Sequence, residues 1–382
     1  MLVIKNAELI MHDHLIPNAV LFAENGKITD FGEMKNHPIP EDCEVYDAEG
    51  AYVGPGFIDI HTHAAGGKMF GEDPSQAARS TLAHGTTSVF PALYFNAGLP
   101  ELLRQIAAVR KVMHEGPDGR NIAGIYMEGP YLNPKFGGNK ENNPWSGPIR
   151  KEDYDQLIKA LGNDVYVWCV APERDRIKEF VEAAKAAKPE VRFAVAHSEA
   201  SPEEIEALMP YGLCIGTHHT NATGTRPKAD PEVHGVCVDE CVNYHREIYA
   251  EQIVDSLGCH VDPYMQRLVR QIKGNDRIIL ISDAFVDDGP VPPEYEGVTD
   301  ISFDNTGEIA GSRLTLDIAC RNYMKHTGAS IVDVFNCASY NPAKVLGLTD
   351  RGEIAVGKRA DLVVCDYKVN VQKVIFEGEV LK

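Results

Sequence analysis
The sequence predicts an α/β protein: a (β/α)8 TIM-like barrel with a small β-sandwich domain formed by the N- and C-terminal segments. Three observations predict it. Through the middle of the chain, apolar strand-like runs alternate with helical stretches, the pattern of a parallel sheet. The runs number eight, at 56–61, 86–93, 122–128, 165–171, 192–197, 213–218, 248–254 and 277–282. Several units close on residues that bind metals or move protons: His61 with His63, then Glu128, Glu173, His197, His218, His260 and Asp283. Chemistry at the carboxyl ends of successive parallel strands is how an eight-stranded barrel carries an active site.

Taken in order, residues 1–52 read as β-structure. Leu2-Val3-Ile4, Ala19-Val20-Leu21-Phe22 and Cys43-Glu44-Val45-Tyr46 are short strand candidates, and Asn25-Gly26 signals a hairpin. The tail is similar, with strand-like runs at 361–365 and 373–376 and a turn at Glu377-Gly378. Neither end carries a large core of its own. Residues 1–52 and 345–382 are therefore expected to pack as one composite β-domain beside a barrel of residues 53–344. In the barrel, Leu102, Leu103, Ile106 and Val109 are spaced for one face of a helix from Glu101 to His114. Ser201-Pro202-Glu203-Glu204 is a capping box with proline at the first helical position, and Asp262-Pro263 opens a helix in the same way. Residues 129–150 and 219–247 are too rich in glycine and proline for helix or strand. They read as long loops, where substrate selection resides in this architecture.

A chain of 382 residues suits one large domain plus a small one. Its net charge of −19 disfavours nucleic acid and anionic lipid as partners. No apolar run approaches the roughly 20 residues that span a bilayer, and the first residues lack the regions of an export signal. A cytoplasmic protein is expected. The nine cysteines include no C-x-x-C pair and read as free thiols rather than a disulfide framework.

His61 and His63 stand two apart on a strand, so both imidazoles face one side and suit one metal. Glu128 ends the run Ile125-Tyr126-Met127, where a carboxylate can bridge two cations. His197 and His218 end the fifth and sixth runs, and neutral imidazoles suit zinc or ferrous iron. Any one of these alone is an ordinary core residue; their weight comes from recurring at the same topological position. Asp283 follows Ile278-Ile279-Leu280-Ile281-Ser282. Beside a cation it stays ionised and accepts a proton from water; otherwise it is a helix cap. Gly352 to Lys358 nearly spells a phosphate loop, but Arg359 stands where serine or threonine is required.

Together these residues resemble the amidohydrolase superfamily, and within it the N-acetylglucosamine-6-phosphate deacetylase family. The resemblance is carried by Gly54-Pro55-Gly56-Phe57-Ile58-Asp59-Ile60-His61-Thr62-His63, Met127-Glu128-Gly129-Pro130, Ala196-His197-Ser198, Thr217-His218 with Asn221-Ala222, Gly258-Cys259-His260-Val261-Asp262 and Ile281-Ser282-Asp283-Ala284. It implies a divalent metal, one or two ions of Zn2+ or Fe2+, bound by Glu128, His197 and His218, with His61 and His63 serving a second ion. It implies that Asp283 activates water and protonates the departing amine. It implies that Asn221, Ala222 and His260 hold an amino sugar phosphate, and that the protein is a homodimer. Two departures stand out. The family's loop histidine is replaced by Asn139, whose amide stands in as a donor. Arg226 lies closer to His218 than the family's phosphate-binding arginine does. Alternatives are an amidohydrolase for another N-acyl substrate, of the D-aminoacylase or dihydroorotase kind, and a non-catalytic barrel scaffold. Many of those other hydrolases bridge their metals with a modified lysine, so Glu128 favours the deacetylase branch. The full set of ligand types argues against a scaffold.

Overall fold
The computed structural model describes residues 1–136, 143–224, 233, 235–286 and 289–381. Eight parallel strands form the barrel sheet in chain order: Phe57–Thr62, Thr86–Tyr94, Ile125–Glu128, Val165–Val170, Arg192–Val195, Leu213–Gly216, Tyr249–Ile253 and Ile278–Ile281. All eight expected runs are strands. The first and last meet where Asp283 N–H donates to His61 O at 2.9 Å and Ser282 N–H to Asp59 Oδ1 at 3.4 Å. Each strand is followed by a helix, at Pro74–Ala83, Leu99–Glu115, Lys151–Leu161, Ile177–Ala187, Pro202–Glu206, Val238–Tyr244, Pro263–Lys273 and Leu316–Thr327. The local signals operate as the sequence implies. Ser201 and Glu204 form a reciprocal capping box. The Asp262 carboxylate caps Tyr264 N–H. Leu102, Ile106 and Val109 are the buried face of their helix.

Alternation along the strands separates two cores. Tyr126, Val167, Cys169, Ala194, Ala196, Ile215, Tyr249, Ile253, Ile279 and Ile281 belong to the cluster inside the barrel. Their neighbours Ile125, Met127, Trp168, Val170, Phe193, Val195, Ile278 and Leu280 pack outward against the helices.

The chain ends share one sheet, ordered Glu379–Val380, Val371–Phe376, Leu362–Cys365, Tyr52–Pro55, Leu2–Ile10, Leu15–Glu24 and Lys27–Glu33, with Glu44–Asp47 also on Leu2–Ile10. It curls until its far ends meet. Ile28 N–H donates to Lys358 O and Ala360 N–H to Gly26 O, each at 2.8 Å. A cluster including Ile4, Leu9, Leu21, Val53, Leu362 and Ile375 lies enclosed, giving the β-sandwich. Its strand Tyr52–Pro55 runs into the first barrel strand through Gly56. A Cβ there would fall 2.0 Å from Thr87 Oγ1, so glycine lets the backbone pass against the Thr87 side chain.

The hairpin beside the cavity was not expected. After the eighth strand, Ile301–Phe303 and Ile309–Ser312 pair antiparallel across a turn. Asp304 Oδ1 holds that turn by accepting from Thr306 N–H, Thr306 Oγ1–H and Glu308 N–H.

Candidate metal centre and active site
The barrel strands deliver their polar ends to one mouth. Glu128 closes the third strand and continues the inward parity of Tyr126. His197 and His218 arrive differently. Ala196 and Ile215 point inward, so simple alternation would send His197 outward, and His218 likewise. Both instead sit in the left-handed backbone region, with φ of 43° and 30°, as does Asp283 at 46°. That conformation costs a non-glycine residue roughly 1–3 kcal/mol, and it persists where surrounding structure overdetermines it. Here it turns two rings into the mouth.

The side chains converge tightly. His197 Nε2 lies 2.9 Å from Glu128 Oε1 and 3.2 Å from His218 Nε2, which is itself 3.4 Å from the same oxygen. The second carboxylate oxygen, Oε2, faces His63 Nε2 at 3.3 Å, and His61 Nε2 stands 4.0 Å from Oε1. Asp283 Oδ1 is 3.1 Å from His63 Nε2 and 3.7 Å from His61 Nε2. Two ligand sets therefore share Glu128: His61, His63 and Glu128, and Glu128, His197 and His218.

Three rings are aimed from behind. His61 Nδ1 donates to Glu251 Oε2 at 3.3 Å, His63 Nδ1 to Ala92 O at 3.0 Å and His218 Nδ1 to Asn221 O at 3.2 Å. Each bond leaves Nε2 free for the mouth.

A divalent cation fits these residues. Glu128 Oε2 and His61 Nε2 are buried with no hydrogen-bond partner among the described residues, and two imidazole nitrogens face each other at 3.2 Å. The electrostatics also select positive charge. Burial opposes a charged His63, yet the adjacent carboxylates of Asp283 and Glu128 push its pKa up to about 10. His218 rises to about 9, again against burial, through Glu128 and Asp283. Burial, helped by the charge of His218, lowers His197 against the pull of Glu128. Burial would raise the Glu128 carboxyl, but His197, His218 and His63 hold it well below the usual range. Asp283 is likewise held low, against burial, by the charge of His61 and by His63. Ligand nitrogens and a cation compete with protons here.

The mouth opens into a cavity of about 580 Å3, lined by His63, Glu128, His197, His218 and Asp283 with Tyr94, Asn96, Phe136, Asn221, Ala222, Cys259, His260, Phe285 and the 304–311 hairpin. Asn221 and Ala222, which the resemblance assigns to the substrate, line this cavity. His260 does not close the seventh strand; it lies in the loop beyond Ile253. Both its ring nitrogens are engaged, Nδ1 with Asp255 Oδ2 at 3.0 Å and Nε2 with Gly311 O at 3.1 Å, so the ring forms a fixed wall. Glu173 lies outside the cage. It takes Asn133 Nδ2–H, Ser198 Oγ–H and Glu199 N–H, bracing loops behind the cavity. Asn139 and Arg226 lie outside the described residues.

Sequence reasoning missed the layer beneath the cage. Tyr126 OH lies 2.8 Å from Thr217 Oγ1 and donates to Glu251 Oε1 at 3.2 Å, and Cys169 Sγ–H donates to Tyr126 OH at 3.2 Å. Burial keeps Tyr126 and Cys169 protonated. Its one trace in the sequence is Glu251, an acid within the strand-like stretch Tyr249–Ile253, which does not by itself name a partner.

The model of the amidohydrolase family matches residues 52–381 of this chain. The N-acetylglucosamine-6-phosphate deacetylase of Bacillus subtilis is 27% identical over 399 aligned residues, covering 99% of this chain and 96% of that protein. The human protein of the same name is 28% identical, covering 88% of this chain and 84% of its own length. A mutant of the Mycobacterium smegmatis deacetylase, solved in complex with N-acetyl-D-glucosamine-6-phosphate, superposes with a TM-score of 0.83 at 27% identity. That match covers 99% of this chain and 98% of the solved one.

Proposed function
Because this chain belongs to the amidohydrolase family, we propose that it hydrolyses the acetamide of N-acetylglucosamine-6-phosphate, or of a close N-acetyl amino sugar phosphate, giving the amino sugar phosphate and acetate. The observation that carries the reading is the convergence of Glu128, His197, His218, His61, His63 and Asp283 on one buried point at the floor of a sugar-sized cavity. The names of its relatives supply the substrate class.

In this reading Glu128, His197 and His218 hold one divalent cation and His61, His63 and Glu128 a second. Zn2+ and Fe2+ suit the nitrogen and carboxylate donors. A cation held there supplies Lewis acidity, which makes water nucleophilic near neutral pH and stabilises charge on the acyl oxygen. The chain's own residues do the proton work. Asp283 stays ionised beside His63 and His61, so it accepts the proton of the attacking water. As the carbon–nitrogen bond breaks, Asp283 returns that proton to the amine nitrogen. Asn221, Ala222 and the His260 ring position the sugar, Asn139 serves as the loop donor, and Arg226 takes the phosphate. Nine unpaired cysteines support a reducing, cytoplasmic setting. Tyr264, Leu268 and Ile272 are exposed at four-residue spacing on the helix Pro263–Lys273 and support the homodimer.

One observation favours a second reading, an unphosphorylated N-acetyl substrate. Among the described residues, no lysine or arginine lines the cavity, while Asp304 and Glu308 do. The test compares N-acetylglucosamine with and without its 6-phosphate, on the protein and on Asp283→Asn. The phosphorylated sugar is expected to be turned over with the higher kcat/KM. Asp283→Asn should lower kcat about 10²–10⁴-fold with metal content unchanged. Near-normal turnover by Asp283→Asn would remove the proton role, and no acetate release from either sugar would remove the activity.

A further inference from the structure
Beneath the cage, the carboxylate of Glu251 stands among the largely apolar side chains of the barrel interior. Glu251 is 0% exposed, and among the described residues no lysine or arginine pairs with it. A carboxylate buried so completely is unfavourable unless its charge is answered. Its described side-chain bonds come from Tyr126 OH, at 3.2 and 3.4 Å, and from His61 Nδ1, at 3.3 Å. Its charge is thus directed at a single ring.

That ring is not equivalent to the others. His63 and His218 are backed by the neutral carbonyls of Ala92 and Asn221, and His197 Nδ1 has no partner among the described residues. Among the described residues, only His61 has a carboxylate behind it. The asymmetry continues in front. Asp283 Oδ1 stands against His63 and His61, at 3.1 and 3.7 Å. Three carboxylates, Glu128, Asp283 and Glu251, therefore surround His61 and His63, whereas among the described residues Glu128 is the one carboxylate paired with His197 and His218.

We infer that Glu251 is a positioning residue for the His61–His63–Glu128 subsite, and that the network Glu251–Tyr126–Thr217 equips that subsite, rather than the His197–His218 one, for a second divalent cation. The carboxylate fixes the proton on His61 Nδ1, holds the ring's orientation and keeps Nε2 as the acceptor toward the mouth. The inference rests on the metal reading of the site and is independent of the substrate.

The test counts zinc. Purified protein is equilibrated with Zn2+ buffered by graded chelator, and zinc per chain is measured by elemental analysis. The unaltered chain is expected to load two ions in two steps. Glu251→Gln keeps side-chain size and an acceptor but removes the charge. It should weaken one step about 10–100-fold and leave the other in place. Tyr126→Phe should weaken the same step by less. The inference is overturned if the unaltered chain saturates at one zinc, if Glu251→Gln loads like the unaltered chain, or if both steps weaken together, as a general loosening of the barrel would cause. Should Glu251→Gln fail to give a cooperative melt, Tyr126→Phe decides: an unshifted weaker step overturns the inference. A chain that loads zinc as expected yet releases no acetate would sink the proposed activity and leave this assignment standing.

Discussion
At the amino-terminal end of the barrel, Lys273 is 1% exposed, yet its ammonium is answered: Nζ donates to Val242 O at 2.6 Å and to His245 O at 2.7 Å. Asn341 Nδ2 reaches Asn275 O and Ile278 O in the same region, although its Oδ1 has no described partner. At the carboxyl-terminal end, His61 Nε2, Glu128 Oε2, His197 Nδ1 and Ser282 Oγ are all buried without described partners. Three of the residues there, His197, His218 and Asp283, also hold left-handed backbone. One end closes its buried charge with backbone carbonyls. The other gathers donors and acceptors around a common point and leaves them facing it. A barrel keeps stability at the first end and chemistry at the second, and the hydrogen bonds show how the division is made.

Substitutions at the two ends should therefore separate function from stability. The largest effect is expected for Glu128→Gln, which removes the carboxylate common to both ligand sets. Turnover should fall by about 10³-fold or more, and elemental analysis should show metal lost from both subsites. The chelator-treated protein should still unfold cooperatively. Retention of stoichiometric metal would break the comparison, since the mouth would then not depend on its shared anion.

Lys273→Met should do the opposite. It leaves Val242 O and His245 O unanswered in a buried place, which costs about 1–3 kcal/mol. Urea unfolding should show that loss with kcat unchanged. A matching fall in kcat would mean that the two ends are not separable.

The smallest effect is a slope with pH. Burial pushes the Lys273 pKa down to about 8. Between that value and its unfolded value near 10.4, the unfolded chain binds more protons than the folded one. This group's contribution to stability therefore rises with pH through that window. Below about pH 8 the charged form is carried at a cost in the folded state. Melts from pH 8 to pH 10 should show a steeper rise for the unaltered chain than for Lys273→Met. Equal slopes would show that Lys273 titrates normally.

Much of this was legible along the chain. The eight strands were marked by short apolar runs, and Ser201 and Asp262 announced their helices through capping chemistry, a local property of neighbouring residues. Glu128, His197, His218 and Asp283 could be picked out because Glu128 ends a strand and the other three follow strand ends by two residues, and strand ends are local too. Glu251 could not be recognised in the same way. An acid inside an apolar run means little until the ring that it faces, 190 residues away along the chain, is known. The 301–312 hairpin went unread because its pairing spans few residues and its turn is held by Asp304 rather than by a strong hairpin dipeptide.

The sequence by itself determined the barrel, the sandwich of the two chain ends and the kinds of atom brought to the mouth, because periodicity and strand termination are written in adjacent residues. Tertiary structure alone decided which nitrogen of each imidazole faces the cavity and which ring has a carboxylate behind it. It also turned His197 and His218 against the alternation of their strands. Those choices depend on hydrogen-bond partners and backbone angles set by distant elements, and no local pattern encodes them.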